Sequence, residues 1–195
     1  MTKVYPNAVI PQPATVTAPT RGPLVLTVWK KSLLFNCHGF TVYDSNGNLV
    51  YRVDNYAAGT KAEILLMDAT GRSLLTLRRK RLSLVDNWTV YDGETAANPK
   101  FTVTKHVNLL NTKSIAHVNI TGSKTKKPVY EIEGSYTQRC CVVYDEKRRH
   151  VAEINRKEAV GGVKFGGDVF RLVVQPEIDP TVAMALVIIL DQMFQ

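Results

Sequence analysis

The chain has 195 residues, of which 45% are hydrophobic and 22% charged, and its 25 lysines and arginines outnumber 17 acids to give a net charge of +8. This apolar fraction is too high for a disordered chain, the mean hydropathy of −0.10 excludes a polytopic membrane protein, and three cysteines are too few for a disulfide scaffold. The composition therefore predicts a soluble, reduced and basic protein with a single core.

The N-terminal segment, residues 1–23, differs in composition from the rest of the chain. It contains five of the nine prolines and lacks the apolar stretch of a secretory signal. Prolines at this density favour extended polyproline-II backbone. We therefore expect a flexible tail over 1–23, one domain over 24–195 and a cytoplasmic location.

Short runs rich in β-branched, aromatic and leucine residues follow, separated by turn residues, as is typical of an all-β protein. A Val-Tyr-Asp unit recurs at 42–44, 90–92 and 143–145, which indicates successive hairpins of one meander. Asn46-Gly47 and Thr70-Gly71 suit tight hairpin turns. The runs predict twelve strands, at 24–30, 38–44, 48–54, 62–68, 73–79, 87–92, 101–107, 114–120, 129–134, 139–145, 149–155 and 168–174.

The last segment has a different pattern, with ten uncharged residues from Thr181 to Leu190. Pro180 suits the first position of a helix and Asp179 suits its cap, so we predict a helix over about 180–194. Such a helix reaches about 15–21 Å, short of the roughly 30 Å hydrocarbon core of a bilayer. A helix that is apolar on every face must be surrounded by protein. Twelve antiparallel strands closed into a barrel leave a lumen that this helix would fill.

Several segments resemble the plant LURP-one-related proteins. The most specific is 165–191, which includes Phe165-Gly166-Gly167-Asp168-Val169-Phe170 and Gln175-Pro176-Glu177-Ile178-Asp179, and the segments 28–33, 77–80 and 88–91 resemble further blocks of that family. The resemblance implies a mainly β, Tubby-like fold, a twelve-stranded antiparallel barrel enclosing a hydrophobic C-terminal helix. It also implies kinship with Tubby C-terminal domains and phospholipid scramblases, and a role in plant defence or stress.

Positive charge is concentrated in a few short segments. Arg78, Arg79, Lys80 and Arg81 are consecutive at the end of a predicted strand, so the run must leave the core and lie at a barrel rim. Lys124, Lys126 and Lys127 form a second cluster in a predicted turn, and 147–150 forms a third. This uneven distribution suits a surface that faces an anionic partner.

The basic clusters are the candidate binding site. Tubby domains bind phosphoinositides through basic residues on neighbouring strands, and Arg78–Arg81 resembles their basic strand-end segment. We expect peripheral binding of acidic phospholipid headgroups through Arg78, Arg79, Lys80 and Arg81, with contributions from Lys124, Lys126 and Lys127. The expected role is membrane-tethered signalling or transcription-linked regulation, at the plasma membrane or in the nucleus. The alternatives are a protein-interaction scaffold with a merely solubilising rim and nucleic-acid binding through the same cations. A small-ligand carrier is disfavoured because the helix occupies the lumen.

The residue types that carry catalysis or bind metals occur without a productive pattern. Cys37 and His38 are adjacent, so strand geometry directs them to opposite faces. His106 and His117 lie on separate predicted strands with no cysteine or carboxylate at ligand spacing. In Cys140-Cys141 one thiol should face inward and the other outward. The sequence predicts no catalytic residue, no metal, no cofactor and no enzymatic activity.

Overall fold

The computed structural model describes residues 22–34, 37–56, 63–106, 113–122, 127–157 and 166–194. These residues form twelve strands and one helix. They are β1 (Leu24–Trp29), β2 (Cys37–Tyr43), β3 (Leu49–Tyr56), β4 (Glu63–Asp68), β5 (Ser73–Arg79), β6 (Asn87–Asp92), β7 (Pro99–Lys105), β8 (Ser114–Ile120), β9 (Tyr130–Ser135), β10 (Cys140–Asp145), β11 (His150–Arg156), β12 (Val169–Val174) and α1 (Pro180–Met193).

The strands form a closed barrel in which each strand pairs with its neighbours in sequence and β1 pairs with β12. The closing ladder runs antiparallel from Leu24↔Val174 to Trp29↔Val169. Alternate side chains point inward, as for Leu26 and Val28 of β1, which are fully buried. Closure matters for solubility because it leaves no unpaired strand edge that could template association.

Three of the hairpins share one turn chemistry, which explains the recurring aspartate at the strand ends. Asp44 Oδ1 accepts hydrogen bonds from the backbone N–H groups of the residues two and four positions later, and Asp68 and Asp145 do the same. The residue three positions after the aspartate has a positive φ, with Gly47 at 84° and Gly71 at 90°. The local sequence therefore specifies both the turn and the strand direction that follows it.

Helix α1 fills the lumen of the barrel. All eight residues from Ala183 to Leu190 are buried, which explains why the segment lacks a polar face. Asp179 caps the helix by accepting hydrogen bonds from the N–H groups of Thr181 and Val182, and Pro180 is the first helical residue. Nowhere in the described parts of the chain does a helix have both the length and the apolarity needed to span a bilayer.

The two ends of the barrel carry different loops, and we name each after the end of α1 that lies there. The N end holds the turns after β2, β4, β6, β8 and β10, where Tyr51 Oη lies 3.3 Å from Thr181 Oγ1. The C end holds the segments after β1, β3, β5, β7, β9 and β11, where Lys105 Nζ donates to the Met193 carbonyl at 2.7 Å. Antiparallel strands alternate in direction, so every connection is assigned to one end by its place in the order.

The predicted architecture is confirmed. Each of the twelve predicted strands is present with boundaries within two residues, and the predicted helix ends at Met193. The predicted cap at Asp179 and first helical position of Pro180 are also confirmed. Residues 1–21 lie outside the described residues, so the flexible tail and the domain limits remain predictions.

Candidate functional site

The basic run Arg78–Arg81 lies at the C end of the barrel, where β5 ends and the turn into β6 begins. All four side chains are exposed. The base of the turn is closed by the Lys80 N–H, which donates to the Asn87 carbonyl at 2.8 Å. The rim position predicted from the sequence is therefore confirmed.

The four cations differ in how far their charge is neutralised within the chain. Arg78 forms an ion pair with Glu63, and Arg79 forms one with Asp86. Among the described residues, no acid forms an ion pair with Lys80. The two arginines thus fix the turn to β4 and to the start of β6. Lys80 contributes an uncompensated positive charge at the exposed surface of the turn.

One member of the second predicted cluster, Lys127, lies at the opposite end of the barrel. Lys127 is exposed in the turn between β8 and β9, at the N end, and Lys124 and Lys126 lie outside the described residues. The structure therefore does not bring Lys127 together with Arg78–Arg81. Lys127 and Arg78–Arg81 cannot contact one headgroup, because the length of the barrel separates them.

Aspartates recur in the described turns of the N end. An aspartate is the last residue of β4, β6 and β10 and directly follows β2, namely Asp68, Asp92, Asp145 and Asp44. Three of them pair with a cation, Asp68 with Arg72, Asp92 with Lys100 and Asp145 with Arg149. A hydrogen bond from the Asn48 side chain lowers the pKa of Asp44, and one from the Thr70 hydroxyl lowers the pKa of Asp68. Both carboxylates are therefore ionised at neutral pH, and that of Asp68 pairs with Arg72.

The third basic cluster, at 147–150, is also at the N end and is partly neutralised there. Arg148 lies 3.0 Å from Glu131 and 2.8 Å from Glu133, and Arg149 lies 2.6 Å from Asp145. Within the described residues, the barrel is thus electrically polar, with exposed surplus cations at the C end and aspartate-rich turns at the N end.

Further cations at the C end surround the terminus of α1, a feature that sequence analysis missed. Asp191 is buried near the end of the helix, with its Oδ1 3.1 Å from Lys30 Nζ, 4.0 Å from Arg139 Nη2 and 3.1 Å from the Tyr136 hydroxyl. Burial and the neighbouring Asp191 raise the pKa of Tyr136, so its hydroxyl stays protonated and donates to the carboxylate. Lys105 additionally binds the Met193 carbonyl. These contacts neutralise the buried carboxylate and the negative end of the helix dipole.

Arg139 is held rigidly in this cluster. Its guanidinium lies between the rings of Tyr136 and Phe170, 4.2 and 4.3 Å from their centroids, and its Nε donates to the Gly167 carbonyl at 2.9 Å. Its backbone has a φ of 53°, in the left-handed region. Arg139 therefore acts as a structural cation beneath the rim.

His106 and His117, which come from separate predicted strands, are in contact. The rings of His106 and His117 are 4.9 Å apart between centroids in an edge-on arrangement, and His117 Nε2 lies 3.5 Å from Glu131. No local sequence pattern indicates this contact, because His106 follows the end of β7 and approaches β8 through sheet pairing. Among the described residues, no group of three or more histidine, cysteine or acidic side chains is arranged to hold a metal ion.

The adjacent thiols of β10 face opposite sides of the barrel wall, as predicted. Cys140 is exposed and Cys141 is buried. Burial raises the pKa of Cys141 to about 12, and a thiol with such a pKa is a poor nucleophile at neutral pH. Cys141 is therefore a small core residue.

Comparisons with known proteins agree with the fold. The family model for LURP-one-related proteins matches residues 24–191. LURP-one-related protein 8 of Arabidopsis thaliana is 55% identical, with 100% of this chain and 99% of that protein covered. LURP-one-related protein 17 of the same plant is 50% identical over 87% of this chain and 82% of its own length.

A solved structure supports the architecture independently. An X-ray structure of an Arabidopsis thaliana protein superposes with a TM-score of 0.67 at 27% identity, covering 88% of this chain and 91% of that one. The closed twelve-stranded antiparallel barrel around a buried C-terminal helix is the Tubby-like fold. The names of these relatives include no enzymatic activity. The chain belongs to the LURP-one-related family.

Proposed function

We propose that this protein is a non-enzymatic Tubby-like module that binds acidic phospholipid headgroups, phosphoinositides among them, at the surface of a membrane. The observation that carries the proposal is the separation of charge along the barrel axis. Arg78–Arg81 is exposed at the C end, and the hairpin aspartates lie at the N end. An anionic surface attracts the first end more strongly than the second, where most of these aspartates pair with cations, so the charge pattern selects one orientation.

The contacts within the basic turn support a role in binding beyond solubility. The ion pairs of Arg78 with Glu63 and of Arg79 with Asp86 hold the base of the turn, and this fixes the position from which Lys80 and Arg81 extend. Each basic residue near an anionic membrane contributes about 1 kcal/mol. A rigid turn contributes this energy with a smaller loss of side-chain and loop entropy than a mobile one would.

The cellular role follows from reversible attachment. Binding by a few surface cations weakens when the membrane loses anionic lipid, so such a module responds to lipid signalling. We propose membrane-tethered signalling or transcription-linked regulation, at the plasma membrane and in the nucleus, in the defence or stress responses of plants. Protein partners would engage the barrel wall that remains free in this orientation.

Vesicle sedimentation tests the proposal. We expect wild-type protein to sediment with phosphatidylcholine vesicles that contain phosphatidylserine or a phosphoinositide, and to remain in the supernatant with pure phosphatidylcholine. Retention should fall as salt rises, because ions screen the charges. A parallel gel-shift titration with duplex DNA covers the nucleic-acid alternative.

Two results would refute lipid binding. Failure to sediment with anionic vesicles at low salt would leave the protein-interaction scaffold as the better account. Tighter, salt-dependent binding to DNA than to any anionic vesicle would favour a nucleic-acid function.

A further inference from the structure

The C end of the barrel exposes large apolar side chains beside the basic run. Leu82 and Leu84 directly follow Arg81 in the turn between β5 and β6, and their side chains are 99% and 107% exposed. Leucines usually lie in the core of a protein, so two almost fully solvated ones in one short turn need an explanation. Neither contributes to packing, since both extend away from the barrel.

Leu82 and Leu84 form one apolar tip of the C end, and a second apolar tip lies at the same end. Leu33 and Leu34, in the segment after β1, are exposed, as is Trp29 at the last position of that strand. The turns after β1 and β5 are about a third of the barrel circumference apart in the strand order. The two tips thus extend from the same end of the barrel at separate points.

The tip after β1 is anchored from below. The Ser32 hydroxyl donates to Asp54 Oδ1 at 2.6 Å and accepts a hydrogen bond from the Leu34 N–H at 3.0 Å. Asp54 is in turn held by Arg52 at 2.6 Å. Ser32 is itself buried, so the backbone that presents Leu33 and Leu34 is fixed to β3 by buried polar contacts.

Cations flank both apolar tips. Lys80 and Arg81 precede Leu82, while Lys31 precedes the Ser32 anchor and lies with its Nζ 5.0 Å from the Trp29 ring centroid. Surfaces that insert shallowly into anionic bilayers combine exposed leucine and tryptophan with lysine and arginine. The apolar side chains lie below the lipid headgroups, and the cations lie among the headgroups.

The N end provides the contrast within the same chain. Its exposed large apolar side chains, among the described residues, are Leu24 and Ile120, and Ile120 is 53% exposed. The hairpin turns there begin with aspartates, three of which pair with Arg72, Lys100 and Arg149. Among the described residues, neighbouring exposed leucines beside a basic run therefore occur at the C end.

We infer that Leu82 and Leu84, together with the tip formed by Leu33 and Leu34, insert into the acyl region of an anionic bilayer and dock the barrel with its C end on the membrane. This inference rests on the proposed function, which supplies the initial electrostatic attraction. It adds the orientation of the barrel and a contact that salt does not screen, because transfer of apolar side chains into lipid does not depend on charge.

Paired variants test the insertion. Leu82→Ser with Leu84→Ser should lower affinity for anionic vesicles by at least about tenfold at moderate salt, given the transfer free energy of two leucine side chains. At high salt the variant should be released completely while wild-type protein is partly retained. Ile120→Ser, at the N end, is the matched control and should bind like wild type. Unchanged circular dichroism verifies the fold of each variant.

A direct contact measurement separates insertion from headgroup binding. In a Trp29→Phe background, Leu84→Trp and Ile120→Trp place a reporter at the C end and the N end, while Trp88 is buried. On vesicles with brominated acyl chains we expect strong quenching for Leu84→Trp and none above background for Ile120→Trp. Vesicle-bound protein without quenching at position 84, and with unchanged affinity of the double serine variant, would overturn insertion and leave headgroup binding intact. Failure to bind anionic vesicles at all would overturn both.

Discussion

Replacing Ile188 by aspartate is expected to prevent cooperative folding of the protein. Ile188 is fully buried in the middle of α1, and the residues around it on the helix are buried as well. A carboxylate placed among these apolar side chains costs several kcal/mol even if it becomes protonated. Such a loss is comparable to the whole stability of a typical domain, 5–15 kcal/mol in order of magnitude.

Chemical denaturation followed by tryptophan fluorescence measures this effect, because Trp88 is buried in the barrel wall. Gln192→Asp introduces the same acid into the same helix at an exposed position and should change the free energy of unfolding by less than about 1 kcal/mol. A soluble Ile188→Asp protein that unfolds cooperatively near the wild-type midpoint would show that α1 is not the core of the barrel.

Replacing Asp191 by alanine should destabilise the protein by about 3–5 kcal/mol, the cost of breaking a buried ion pair. The carboxylate is the common partner of Lys30, Arg139 and Tyr136. Its removal leaves Arg139 buried between two aromatic rings without its anion, and leaves the Tyr136 hydroxyl without this acceptor. Urea denaturation with linear extrapolation gives the difference directly.

The matched control for Asp191 is Asp86, which pairs with Arg79 at the exposed rim. Exposed pairs contribute roughly 0–1 kcal/mol, so Asp86→Ala should have a small effect. Equal losses for the two variants would contradict the idea that the buried cluster ties the end of α1 to the barrel.

The strands and the helix could be predicted from the sequence because their signals are local. Aspartate followed three positions later by Gly47 or Gly71 specifies a hairpin, and the alternation of side chains places the strand faces. The helix was evident from an uncharged segment capped by Asp179 and Pro180, which is too short to cross a bilayer. Boundaries within two residues follow from such local rules.

The spatial arrangement of the site depends on the order of strands around the barrel. The run Arg78–Arg81 begins at the end of β5 and Lys127 follows β8, so strand alternation alone assigns them to opposite ends once twelve strands are counted. Composition and charge spacing do not contain that information. The cluster around Asp191 was also missed, because Lys30 and Arg139 are far from it in the chain and only barrel closure brings them together.

The exposure of Leu82 and Leu84 could not be predicted from residue type. A leucine next to a strand usually indicates a residue of the core. Only the position of the turn beyond the rim shows that both of these side chains lie outside the core. The polarity of the barrel therefore emerges from topology, with the basic run and the apolar tips coinciding at the C end.

The most direct test of membrane binding by this end compares two double variants that remove the same charge. Lys80→Ala with Arg81→Ala, at the C end, should weaken binding to phosphatidylserine vesicles by about 2 kcal/mol, which corresponds to a thirtyfold loss of affinity. Lys127→Ala with Lys147→Ala, at the N end, should bind as wild-type protein does. Equal loss in both variants would show that the net charge alone determines binding, and no loss in the first would contradict a binding site at the C end.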